Sequence, residues 1–482
     1  MVSSNPLFRG TWTAKKFQAT VINDIWPEVL FFSLVAMMVV LVDRFADKNL
    51  GISNQLLTVL GTVLGLVISF RTSSAYERYQ DGRKMWTNII TASRNLAQQI
   101  WVHVPVDRTG KGTAANTTTL QNVIEKKSMV NLVLAYAVSV KHFLRGERGV
   151  YYEDLYPLIS FLPRYANGEK GPDSEKLPLW HDDDEHDHRP VDTPATELGR
   201  ETSPSSHGTR HDGFDPEKAL PQVASERPLK PARNPPETTL FDYIPLFRLF
   251  RWIVRAVSRR ARARPARRTK RKAYADVVES HIPLEIILVL SNYTAWCMRN
   301  GLLQPAIATG VTTNLTVLQD TVSNLERICN TPLPFAYQAH LRMSLWLYLL
   351  FLPFQIYNAF GYVTIPGTAF ASFLLLGFLE IGQEIENPFN YDLNDLDLDH
   401  FCITIQRELH LITAHPCPNP SDFLFSTLNQ PFAPSDRRNA KELTDNDSVY
   451  RLPNETGVEP GLASLRRTLV KGWKDVDTLT RK

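Results

Sequence analysis

Residues 60–86 read LGTVLGLVISFRTSSAYERYQDGRKMW, an apolar helix that turns abruptly into a basic and aromatic one. Up to Phe70 there is no charge, and the residues suit a span through lipid. From there Arg71, Arg78, Arg83 and Lys84 stand among Tyr76, Tyr79 and Trp86, offset only by Glu77 and Asp81. The helix is expected to leave the membrane at Arg71 and to carry a basic belt that attracts anions. Thr62, Leu66 and Phe70 are four residues apart and form one stripe, while Gly61 and Gly65 share a face that lets a neighbouring helix approach. Copies arranged around an axis would stack the stripe into rings that an ion crosses partly dehydrated, and the positive edge of a Phe ring tolerates an anion better than a cation. The plainer reading of the same spacing is an ordinary membrane helix with a positively charged inner flank.

Outward from this stretch, the chain of 482 residues has an ordinary apolar fraction of 43 % and a net charge of +3, too small to imply a nucleic-acid partner. Cys297, Cys329, Cys402 and Cys417 show no metal-ligand spacing and read as packing residues. No cleavage site follows the first apolar run, so a removable signal is not expected. Nor is there a nucleophile with its base, a phosphate-binding loop or a cofactor box, and the chain does not read as an enzyme.

Residues 1–24 form a polar arm with Arg9, Lys15 and Lys16. Spans are expected at 25–42, opened by Pro27, and at 55–70, so that 25–71 holds the first two membrane helices. The basic flanks put both outer ends of this pair in the cytoplasm. Helical periodicity marks 72–165 as cytosolic helices. Residues 166–240 contain eleven prolines, many acids and few aromatics, and read as a disordered insert; its run HDDDEHDH (181–188) is a solvated acidic tract or, less simply, a metal-binding one. Residues 241–272 reverse the charge, with Leu246, Leu249, Ile253 and Val257 on one helical face and Arg248, Arg251, Arg255 and Arg259 on another. That pattern fits a helix on an anionic leaflet, a docking site for a partner, or a basic tether. Cytosolic helices resume over 273–339, and two more spans fill 340–383, with Pro353 as a kink. An acidic loop and helix cover 384–415, and a mobile tail covers 416–482, with LASLRRTLVKGWK as a short surface helix. Both termini are then cytoplasmic, in a plasma or organelle membrane.

The run SFRTSSAYERYQDGRKMW, together with LERICNTPLPFAYQAHLRMSLWLYLLFLPF and LEIGQEIENPFNYDLNDLDLDHFCITIQREL, resembles the signature blocks of the microbial and plant branch of the bestrophin anion channels. The similar regions cover most of 20–105 and 275–412. The resemblance implies a mostly helical homopentamer with four spans per subunit and a large cytosolic helical region, passing chloride and other monovalent anions passively. By position, Thr62, Leu66 and Phe70 would form the pore neck, Thr62 departing from the bulky apolar type common there, and Ala306 or, one residue on, Ile307 the cytosolic aperture. Glu384, Asn387, Asp392 and Asp395 match the calcium clasp of animal members, a hard-cation set; alternatively these acids cap the next helix and pair with Arg78 or Arg407. Glu380 is either a boundary residue or a functional carboxylate. Two competing functions remain at this level: a non-conducting membrane scaffold working through 166–272, and a metal-dependent membrane enzyme using Glu380, Glu384 and His340.

Overall fold

The computed structural model describes residues 19–46, 52, 55–108, 117–147, 149–163, 165, 228–235, 281–433, 435–445, 449–451 and 459–480. The acidic run 181–188 and the basic segment 241–272 lie outside them. The chain divides into two units, Met1–Thr413 and Ala414–Lys482.

In the first unit the helices are α1 (Ile22–Ala46), α2 (Gln55–Gln98, closed by a π turn over Gln99–His103), α3 (Thr119–Leu144) and the short α4 (Tyr156–Ile159). They continue with α5 (Ile282–Arg299), α6 (Pro305–Asn330), α7 (Phe335–Phe360), α8 (Thr364–Glu384) and α9 (Leu398–Ala414). Among the described residues, three stretches are long and apolar enough to cross a membrane: Ile22–Phe45, Thr58–His103 and Phe335–Glu384. The last comprises α7 and α8, joined by the 3-10 turn Gly361–Val363. The four expected spans are therefore all present as helices, and α5, interrupted by Pro283, Glu285 and Asn292 in the sequence, is not among the candidates.

Two separate cores hold these helices. Ile25, Phe32, Leu64, Ile68, Leu341, Leu345, Leu349, Leu352, Leu376 and Leu379 pack α1, α2, α7 and α8 together. Trp346 closes this core from the side, stacked on Phe31 and edge-on to Phe32. Small residues set the close approaches. A Cβ on Gly61 would come within 2.8 Å of the Tyr348 hydroxyl, so α7 packs where glycine leaves room, whereas Gly65 has open space beside it and plays no such part within the protomer. On α8, Thr368 and Ser372 are fully buried and return their hydroxyls to the carbonyls four residues back, Thr364 and Thr368.

The second core belongs to a helical body built from the far half of α2 with α3, α5, α6 and α9. Trp86, Leu96, Leu132, Tyr136, Ile286, Leu318, Leu325, Phe389 and Ile405 are buried within it. Tyr136 donates its hydroxyl to the Leu318 carbonyl at 2.6 Å, tying α3 to α6. Arg108 grips Glu125 with both Nη atoms at 2.9 Å, and Tyr293 on α5 adds a third bond to the same carboxylate. Lys126, also buried, donates to the carbonyls of Trp101 and Val104 at 2.7 Å and so satisfies the end of the π turn. Cys297 and Cys402 are buried free thiols in the helical body; burial pushes Cys297 up to about 11 and Cys402 up to about 12.

One stretch expected to lack structure has some, and the tail carries the helix expected over LASLRRTLVKGWK. Residues 228–235, at the end of the insert, lie along the helical body and pair with Tyr151 and Glu153 through Lys230. The tail forms the second unit, with α10 (Pro420–Leu424), α11 (Ala440–Asp445) and α12 (Leu462–Thr480). There Asp436 holds Arg438 at 2.6 Å and Tyr450 at 2.9 Å, and Tyr450 reaches the buried Thr468 on α12. Asp436, itself buried, thus links two residues of this unit, Arg438 and Tyr450.

Candidate functional site

The long helix α2 belongs to both cores, and one face of it belongs to neither. Leu64, Ile68, Arg71, Ala75, Gly82, Trp86, Ile89, Leu96 and Ile100 are buried. On the opposite side Thr62, Leu66, Phe70, Ser73, Glu77, Lys84, Asn88, Thr91, Asn95 and Gln98 recur at steps of three, four or seven residues, and every one is exposed. Leu66 and Phe70 are 58 % and 63 % exposed, while Leu64 and Ile68 are at 8 % and 4 %. The stripe Thr62, Leu66, Phe70 thus continues without a change of face into a polar row. No glycine or proline breaks the helix where its charge begins, and at 44 residues it extends for about 65 Å, roughly twice the thickness of a bilayer's hydrocarbon.

Alongside it, α6 adds a second polar strip. Ala306, Thr309 and Thr313 are exposed, whereas Ile307 is half-buried against the core. Asn95 on α2 donates to Asn314 on α6 at 3.3 Å, and Asn314 bonds Gln99 in turn, which keeps the two strips side by side. Thr91 returns its hydroxyl to the Thr87 carbonyl. A Cβ on Gly310 would meet the Gln99 amide at 2.6 Å, so glycine is what allows this approach.

The four basic residues of the belt take different places. Arg71 is 3 % exposed, on the buried face, with Nη2 4.0 Å from Glu386. Its Nε and Nη2 have no hydrogen-bond partner, while Glu386 is satisfied by the Leu333 amide and by Gln338. Arg78 spends its guanidinium on three carbonyls, those of Glu386, Thr331 and Ile328, and thereby caps the end of α6. Arg83 lies with its guanidinium 4.6 Å from the Phe401 ring and donates to Thr87. Lys84, paired with Asp81 at 3.1 Å, is the member of the belt on the face of Leu66 and Phe70. Spacing in the sequence carried this signal: Arg71 lies nine residues from Thr62, half a turn out of phase, and Lys84 follows Phe70 by two heptads.

Arg342 on α7 donates to Glu380 on α8 at 3.0 Å and lies 3.9 Å from Glu28 on α1. Glu380 is therefore one side of an inter-helix ion pair. His340, on α7, and Glu384 do not join it in a metal-binding cluster.

The acidic loop after α8 is drawn in against α2, with Phe389 on Gly82. Glu384 accepts from Asn394, whose other contact is the Ala19 carbonyl. Asp395 accepts the Asp392 amide at 3.0 Å, and Asn387 buries an Oδ1 with no partner. Burial, then the neighbouring Asp392 and Glu384 carboxylates, push Asp395 up to about 7. Among the described residues no three His, Cys, Asp or Glu side chains come together as a metal cluster. Asp397, a further acid of this loop, accepts the His400 amide at the start of α9, and Arg78 turns to carbonyls, not to these acids.

Known proteins are similar in sequence to most of this chain. A family profile described as Bacterial/Fungal Bestrophin protein matches residues 3–181 and 238–411. A protein of Nostoc sp. described as a voltage-dependent anion channel-forming protein is 28 % identical over 403 residues, covering 83 % of this chain and 91 % of its own. Another of the same description, from Synechocystis sp., is 27 % identical over 394 residues, 82 % of this chain and 88 % of its own. A crystal structure of a bacterial bestrophin homolog from Klebsiella pneumoniae aligns over 81 % of this chain and 100 % of its own, at 16 % identity and a TM-score of 0.49. With the profile matching most of the chain in two ordered blocks, the protein belongs to the bacterial and fungal bestrophin family.

Proposed function

We propose that the chain is one subunit of a homopentameric, passive anion channel in which α2 lines the pore. The observation that carries this reading is the single uncovered face of α2, apolar from Thr62 to Phe70 and polar from Ser73 to Gln98. A lipid-facing stripe has no need to continue as a polar row at the same azimuth. A pore does, because an ion leaving a dry constriction must regain hydrogen-bonding surroundings at once. Leu66 and Phe70 would form the narrow neck with Thr62 as a wetter outer ring; Asn88, Thr91, Asn95 and Gln98, with Thr309 and Thr313 of α6, would line a vestibule; and Ala306 would sit at its exit.

In this arrangement α1, the first part of α2, α7 and α8 span the bilayer, both termini and the helical body are cytoplasmic, and chloride and similar monovalent anions are the cargo. The names of the relatives from Nostoc and Synechocystis support an anion cargo. Lys84 is the basic group placed to raise anion concentration along the pore, and a dry neck favours anions that shed water easily. No step of this function passes through calcium.

Planar-bilayer recording of purified protein under a chloride gradient tests it, with wild type beside Leu66→Ala and Phe70→Ala. The reversal potential is expected to follow chloride, and both substitutions are expected to change anion selectivity. Silence from protein shown to be pentameric and intact would overturn the channel and favour the scaffold.

A further inference from the structure

Residues 228–235, PLKPARNP, lie outside the region matched by the family profile, yet they are bound to the helical body as a peptide is bound to a receptor. The Lys230 amide donates to the Tyr151 carbonyl at 2.9 Å and the Lys230 carbonyl accepts from the Glu153 amide at 3.0 Å, one rung of parallel strand pairing. Lys141 donates to the Ala232 carbonyl at 3.2 Å, and the Asn234 amide donates to the Tyr391 hydroxyl at 2.9 Å. Leu229 packs on the core. The Lys230 ammonium lies 5.5 Å from the centre of the Tyr152 ring, and the Arg233 guanidinium 5.8 Å from that of Tyr391. Backbone pairing supplies the hold, and basic side chains over tyrosines supply the selectivity. Pro228, Pro231 and Pro235 restrict the segment in advance, which lowers the entropy cost of seating it.

The receptor is a buried ionic cluster. Lys141, His142 and Arg145 at the end of α3 face Glu147, Asp154 and Asp399. The two ring nitrogens of His142 each lie within hydrogen-bond distance of a carboxylate, Glu147 on one side and Asp154 on the other. Tyr152 stacks on His142 with centroids 4.0 Å apart. Tyr391 donates to Glu147 and lies 4.0 Å beneath Arg145. Tyr391 belongs to the acidic loop, and that loop begins at Glu386, the partner of Arg71 and, through its carbonyl, of Arg78. The groups that grip 228–235 thus also fix the loop that braces α2.

We propose that residues 228–235 are a tethered peptide ligand, seated in a groove formed by Tyr151–Glu153, Lys141 and Tyr391, whose seating clamps the 386–397 loop against α2. The groove takes an extended segment rich in proline and basic residues. A consequence for conduction rests on the channel reading; the clamp itself does not.

Amide hydrogen exchange on the full-length protein tests it without any current being measured. In wild type the Lys230 and Asn234 amides are expected to exchange at least tenfold more slowly than in the free peptide. Replacing 228–235 by a Gly-Ser segment of equal length is expected to speed exchange at residues 389–397 by a similar factor. Adding synthetic PLKPARNP should restore the slow rates in that variant, and a scrambled peptide should not. Tyr391→Phe, a milder change, should release the Asn234 amide while Lys230 stays protected. Unprotected Lys230 and Asn234 in wild type would overturn the docking. Unchanged rates at 389–397 in the Gly-Ser variant, or an Asn234 amide that stays protected in Tyr391→Phe, would overturn the clamp. A protein that conducts nothing would sink the channel reading and leave these exchange results standing.

Discussion

Arg71 and Glu386 bury opposite charges against each other one residue past Phe70, with the guanidinium Nη2 4.0 Å from the carboxylate and both side chains nearly inaccessible. The pair joins α2 to the segment after α8 at the level where the apolar half of α2 ends. Because Arg71 has further N–H groups without partners, removing its counter-charge leaves a buried cation with nothing to replace it. Glu386→Ala is expected to cost about 3 kcal/mol or more, whereas the double change Arg71→Met with Glu386→Leu is expected to recover much of that loss. Thermal unfolding of the three proteins in detergent checks this, and equal midpoints for Glu386→Ala and wild type would refute it.

The two faces of α2 respond in opposite ways to truncation. Leu66→Ala and Phe70→Ala, on the exposed face, are expected to change stability by no more than about 0.5 kcal/mol. Ile68→Ala, two residues from either and buried among Leu345 and its neighbours, is expected to cost about 2 kcal/mol or more through the cavity it leaves. Denaturation midpoints decide it. If Phe70→Ala proved as damaging as Ile68→Ala, that face would not be open in the assembled protein.

Charge removal separates two neighbouring basic residues. Lys84→Gln is expected to reduce single-channel conductance about twofold at low ionic strength, and the deficit should vanish near 1 M salt, where screening acts over about 3 Å. Arg83→Gln, off the face of Leu66 and Phe70 and against Phe401, is expected to leave conductance within error. Equal effects of the two would mean that the belt acts as a ring of charge irrespective of face.

Asp395 gives a pH dependence with a definite sign. Its carboxyl ionises near the ordinary 3.8 when the chain is unfolded and near about 7 when folded, so between these values the folded form holds a proton that the unfolded form has lost. Stability contributed by this group is therefore greatest below about pH 4, declines as pH rises towards 7, and stays low above. The slope is at most about 1.4 kcal/mol per pH unit. Asp395→Asn, which cannot ionise, is expected to flatten this part of the profile and to raise stability at pH 8. Melting curves between pH 4 and 8 provide the comparison, and parallel profiles for the two proteins would refute the shift.

The helices were legible because apolar periodicity and proline placement mark them well. Pro305 and Pro334 bracket α6, and the uninterrupted run through Arg71 required a single long α2. The stripe of Thr62, Leu66 and Phe70 was equally legible, since spacing alone fixes a face. Charges misled, because a basic residue beside a membrane reads as solvated, and only contacts distant in sequence reveal that Arg71 pairs with Glu386 and that Arg78 caps α6. The segment 228–235 was hidden for a related reason. Its composition describes how little it can bury by itself, whereas its place depends on Tyr151, Lys141 and Tyr391, which belong to other parts of the chain.

A helix of about 65 Å that is shared by two cores acts as a lever. Its backbone ladder resists bending, so tilting one end by about 3° would carry the other sideways by roughly 3 Å, close to the width of a water molecule. Small adjustments among the side chains around Trp86 and Leu96 are thereby magnified at Leu66 and Phe70. The position of these two side chains is then governed by packing several helical turns away.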